Sequence, residues 1–190
     1  MRMPKKYIFN KNTHKKGFTL VETLVALTIL LIAVLAPMRI VSQSIKAATL
    51  AREQLTAVFL AQEGVEHFLQ LRDNDALSVS GGTWDWLGVG GIDGSCTNAG
   101  CSPDVVSGGE VSCSSFSNCT LYFDEDASSG AYYTYTSTGN IESRYTRVVT
   151  VTESTADEVE IVSTVSWKSD ALKGDTVDVT FRTFILNQYE

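Results

Sequence analysis

Glu22 is the residue most out of place in this sequence of 190 residues. It is the only charge in the run FTLVETLVALTILLIAVLA, residues 18–36, a segment that otherwise belongs in hydrocarbon. A carboxylate inside a membrane helix costs several kcal/mol unless it is paired or lies close to the interface. Glu22 is therefore either tolerated near a membrane edge or kept for a partner. The best-attested use of a buried charge in a helix is to fix register against a neighbouring helix. Chemistry of another kind is available to Cys96, Cys101, Cys113 and Cys119, which fall within 24 residues. Outside the cytoplasm an even, clustered set means disulfides, and three pairings are open. The spacing C-x4-C-x11-C-x5-C lacks the short paired knuckles that tetrathiolate zinc sites prefer, so no metal is expected there.

The other candidates are weaker. His67 is the only histidine after the first seventeen residues, and alone it cannot supply an acid–base pair. Asp124, Asp126 and Ser128 have the 1-3-5 spacing of a calcium loop. However, Ser129 stands where such a loop needs glycine and Tyr135 where it needs glutamate, so a hairpin turn is the better reading. Trp84, Asp85 and Trp86 are read as loop packing ahead of a binding tip. The sequence has no G-x-S-x-G, no Walker loop and no cysteine–histidine pair, which gives an enzyme reading nothing to rest on and implies no cofactor.

The elements that position these residues follow from patterning. Residues 1–17 carry Arg2, Lys5, Lys6, Lys11, Lys15 and Lys16 and no acid. Their six bases leave nine against twenty-two acids in the remainder, a net of −13. A basic stretch before an apolar segment stays cytoplasmic, so the rest points outward. An acidic exterior without a basic cluster speaks against direct nucleic-acid binding. From Phe18 to about Arg72 there is one proline, Pro37, and one glycine, Gly64, which predicts a single long helix. Pro37 removes a backbone donor and is expected to kink or fray it. Before Arg39 every face is apolar, and the membrane or filament-core span, residues 18–41, exceeds the roughly 20 residues a bilayer needs. In residues 42–74, Ile45, Ala48, Leu55, Val58, Phe59, Val65, Phe68 and Leu69 recur at three- and four-residue steps and predict a stripe that needs cover. Residues 75–119 read as a loop holding the cysteines. Residues 120–190 read as an antiparallel sheet of four or five strands covering the stripe, in the segments TLYF, AYYTYTST, IESRYTRVVTVTE, EVEIVSTVSWK and DTVDVTFRTFIL. The fold class is α+β, a long N-terminal helix on an antiparallel head.

The run KKGFTLVETLVAL, Lys15–Leu27, resembles the type III signal sequence of type IV pilins and of type II secretion pseudopilins. The resemblance implies a leader of residues 1–17 cut between Gly17 and Phe18 by a prepilin peptidase, and N-methylation of Phe18. The new amine on Phe18 would lie one turn from Glu22, or meet the Glu22 of a neighbouring subunit. It further implies a structural subunit, closer to minor pilins or pseudopilins than to a major pilin. Such a subunit is held first in the cytoplasmic membrane with its head outside, then in a periplasmic or surface filament. The implied partners are other pilins, the prepilin peptidase and, indirectly, an inner-membrane platform protein and an assembly ATPase. The competing class is a membrane-anchored surface-binding module or adhesin. An ordinary secretory signal cut near Ala36 is disfavoured, because the apolar run is long and Pro37 would follow the cut.

Overall fold

A computed structural model describes residues 17–78, 96, 100–113, 119–126, 130–155 and 157–187. Helix α1 spans Leu20–Ser78, 59 residues, and continues through Pro37. It begins where Thr19 caps it: the Thr19 hydroxyl accepts a bond from the Glu22 amide at 3.3 Å. Its length exceeds the expected end at Arg72 by more than a turn. The chain divides into two compact units between Ile45 and Lys46. In the first unit every described residue from Gly17 to Ile45 is exposed, and the helix there is long and apolar enough to cross a membrane.

Among the described residues, the second unit is built on seven antiparallel strands: β1 Cys101–Asp104, β2 Gly109–Ser112, β3 Thr120–Asp124, β4 Tyr132–Thr134, β5 Ile141–Thr155, β6 Glu158–Lys168 and β7 Thr176–Leu186. The 15-residue β5 organises it. Along one edge β5 pairs with β6, from Tyr145↔Trp167 to Thr155↔Glu158, and β7 lies beyond β6. The other edge is shared: β3 takes the stretch around Ile141–Thr146, and β1 meets β5 at Cys101↔Val149. The hairpin partners β4 and β2 lie outside β3 and β1. Strands β3 to β7 coincide with the five expected segments. The strands β1 and β2 are a correction, since they lie inside the stretch read as loop. Each has four residues, CSPD and GEVS, too short for alternation to declare itself.

The face that α1 buries is also a correction. Of the predicted stripe, Val65 and Phe68 are buried and Leu69 is half-buried. Ile45, Leu55 and Phe59 are about 60% exposed, Val58 lies at the margin, and Ala48 is exposed. The seam instead runs through Glu53, Ala57, Leu60, Ala61, Gly64, Val65 and Phe68. Close approach of helix to sheet selects small side chains there. A Cβ on Gly64 would stand 2.8 Å from Ser163 Oγ and 3.2 Å from Val149 Cγ2, so nothing larger fits without movement. Two clusters form the core. Phe68 and Val65 join Val149, Val151, Val159, Ile161 and Ile185. Ala57, Leu60 and Ala61 join Leu121, Tyr145, Val165 and Trp167. Full burial of a side chain such as Phe68 contributes about 1.5–3 kcal/mol.

Candidate functional site

Gly17, Phe18 and Thr19 precede α1 and are not helical. A Cβ on Gly17 would meet nothing within 4 Å, and Phe18 is 77% exposed. The Gly17–Phe18 bond thus sits in non-helical backbone two residues ahead of α1. Glu22 occupies the first turn of α1, where the helix dipole favours a negative charge. Thr19 and Glu22 stand in the T-x-x-E order of a capping box, in which the glutamate carboxylate would return a bond to the Thr19 amide. Among the described residues only the threonine half of that exchange is made. The Glu22 carboxylate is left exposed and without a partner in the described chain. Pro37 and Arg39 lie further along the same exposed segment.

The four cysteines are buried and bonded as Cys96–Cys101 and Cys113–Cys119, with Cα separations of 4.5 and 5.6 Å. Backbone bonds tie them to the sheet: Val151 N donates to Cys96 O at 3.2 Å and Cys113 N to Gly100 O at 3.0 Å. Gly100 has φ +76° and stands against Val148 Cγ1, where a Cβ would lie 2.7 Å away. Among the described residues the one grouping of metal-type ligands is Cys96, Cys101 and Glu110. Both its sulfurs are bonded to each other, so neither is available as a thiolate.

The other sequence candidates resolve as follows. Asp124 Oδ1 accepts from Asp126 N at 2.8 Å, and β3 and β4 pair from Tyr122↔Thr134 to Asp124↔Tyr132, so this stretch is a hairpin. The Tyr135 hydroxyl is occupied by Arg147 Nε at 3.1 Å and by Ser102. Ser128, Ser129, Trp84, Asp85 and Trp86 lie outside the described residues, as do the six bases of residues 1–16.

His67 is buried edge-on to Phe68, with ring centroids 5.7 Å apart, and its Nε2 has no partner in the described chain. Burial, with Arg147 nearby, pushes its pKa below the usual 6.5, and Asp104 opposes this. A histidine held neutral by the fold contributes stability that is complete above its unfolded pKa. That contribution is lost as pH falls through 6.5 toward the lower folded value. The melting temperature of the detergent-solubilised protein is therefore expected to drop on mild acidification, and less so in His67→Gln. Parallel curves for the two proteins would show that His67 does not carry the effect.

Two polar centres went unseen in the sequence. Arg147 is 1% exposed, and its guanidinium donates to Leu60 O at 3.0 Å, Glu63 Oε2 at 2.7 Å and Pro103 O. Glu53, also buried, accepts from Arg144 at 2.6 Å, Trp167 Nε1 at 3.2 Å and Ser169 Oγ at 2.6 Å. Together they join α1 to β1, β5 and β6. The only sequence signal is Arg147 itself, a charge in the inward phase of Tyr145, Val149 and Val151.

The described chain thus joins an exposed apolar helix, long enough to cross a membrane, to an antiparallel sheet. Residues 12–36 match the family model of the prokaryotic N-terminal methylation motif. The chain thus carries the prepilin-type signal of type IV pilins and pseudopilins. Comparisons with curated proteins and with solved structures found no match.

Proposed function

We propose that this chain is a structural filament subunit, a minor pilin or pseudopilin. It would be matured by prepilin peptidase cleavage after Gly17 and N-methylation of Phe18, and assembled through α1 beside other pilins by a platform protein and an assembly ATPase. Its head would stand outside the cytoplasmic membrane before the subunit enters a periplasmic or surface filament. The observation that carries the reading is Glu22: a carboxylate without a described partner, five residues after the bond to be cut, on an apolar helix that no described residue covers. Cleavage creates an amine on Phe18 that a Glu22 carboxylate can pair with.

Mass spectrometry of the mature N-terminus tests this directly. The expected species begins at methylated Phe18, and Gly17→Val is expected to leave the precursor uncut in the membrane. A mature chain starting at Pro37, or an intact leader in assembled material, would overturn the proposal.

A further inference from the structure

We infer that Arg39 pairs with the Glu22 of a second, parallel copy of this chain, fixing an axial stagger of about 25 Å between neighbouring α1 helices. The inference rests on the filament reading and adds a contact to it. In the first unit the described residues after Gly17 carry two charges, Glu22 and Arg39, of opposite sign. Both are exposed and neither side chain has a partner in the described chain, while the apolar residues between them, such as Ile29, Leu31, Ile32 and Leu35, are more than half exposed. A second copy supplies what each lacks: an opposite charge at either end and an apolar surface between. Seventeen residues separate the two charges, which at about 1.5 Å per residue gives the stagger.

The angle decides what kind of assembly results. At about 100° per residue, Glu22 and Arg39 project roughly 100° apart around the helix. One neighbour cannot meet both, as it would in a closed antiparallel pair. Glu22 faces one copy and Arg39 another, a heterologous contact that propagates. The basic leader independently enforces the parallel arrangement, since every copy enters the membrane the same way round. A carboxylate has two oxygens, so Glu22 can hold this guanidinium together with the Phe18 amine.

The test places thiols one turn beyond each charge, Ala26→Cys and Gln43→Cys in one full-length chain, leaving both charges intact. All four native cysteines are already bonded, so the new thiols are the ones that react. In sheared filaments, a short bis-maleimide is expected to give a ladder of multimers. Each single variant, and the pair Ala26→Cys with Ala36→Cys, is expected to give none. In parallel, Arg39→Gln is expected to lower incorporation about tenfold or more without changing membrane level or cleavage, and Arg39→Lys to restore it. Filaments that contain the doubly substituted chain but give no ladder, or full incorporation of Arg39→Gln, would overturn the stagger alone. Absence of the unsubstituted chain from filaments would overturn the filament reading and this inference with it.

Discussion

Glu22→Ala is expected to leave the chain inserted in the membrane and cut after Gly17, yet to cut its share of sheared filaments about a hundredfold or more. The substitution removes the cost of several kcal/mol for holding a carboxylate in hydrocarbon, so membrane residence becomes easier. In the filament it leaves the Phe18 amine of an incoming subunit buried and unpaired, a loss of about 3–5 kcal/mol for a broken buried pair. The two effects have opposite signs in the two states, and their contrast is what the experiment reads. Blotting sheared filaments against membranes measures it. Glu22→Gln is expected to behave like Glu22→Ala, since shape without charge does not pair with an ammonium. Glu22→Asp should fall between, because the charge remains and the reach shortens. Normal filament levels of Glu22→Ala would mean that the carboxylate is merely tolerated where the helix begins.

The second large effect lies in the head. Arg147→Met keeps approximate volume and removes every donor that the guanidinium supplies to Leu60 O, Pro103 O and the Tyr135 hydroxyl. Each buried group left without its bond costs about 1–3 kcal/mol, so the loss should reach roughly 3–5 kcal/mol. The Glu63 carboxylate that pairs with Arg147 is 38% exposed and can return to water. Glu63→Gln is accordingly expected to cost well under half as much. Urea unfolding of the detergent-solubilised protein, followed by tryptophan fluorescence, separates the two. Trp167 is 2% exposed in the core beside Tyr145, so its environment changes when the head opens. The midpoint should shift with little change in slope. Equal midpoints for Arg147→Met and the unsubstituted chain would remove Arg147 from the forces that join α1 to the sheet.

The sequence revealed most where the physics is local. Glu22 stood out because the one charge in a run of nineteen otherwise uncharged, mostly apolar residues needs no partner to be noticed. Strands β5 to β7 were legible because long strands with one buried face alternate, as Val159, Ile161, Val165 and Trp167 do. Strands β1 and β2 were not, since four residues cannot show a period and they are held by pairing with distant chain and by disulfides. The buried face of α1 is not legible, for a different reason. Hydrophobicity ranks Leu55 and Phe59 above Ala57, Ala61 and Gly64, but the buried face is the one on which Gly64 meets the sheet with no room for a side chain, and Leu55 and Phe59 fall outside it. Arg147 and Glu53 escaped because a buried charge is intelligible only once its partners, some ninety residues away in sequence, are in place.

The shared edge of β5 also sets an order of events during synthesis. β1 and β3 come earlier in the chain, yet both join the sheet only through β5, and β2 and β4 are attached through them. The seam of α1 likewise waits for Val149, Val165 and Trp167. Until β5 emerges, the described strands before it have hairpin partners at most, and apolar side chains such as Phe68 and Leu121 lack the cover that β5 and its neighbours supply. Once β5 is present, β6 and β7 follow by short local connections, Thr155↔Glu158 and Lys168↔Thr176, which close quickly because little loop entropy is lost. A nascent chain therefore carries its adhesive parts open for most of its passage and closes them in a late, rapid step, so translation stalled ahead of Ile141 would leave a membrane-held fragment with nothing to fold against.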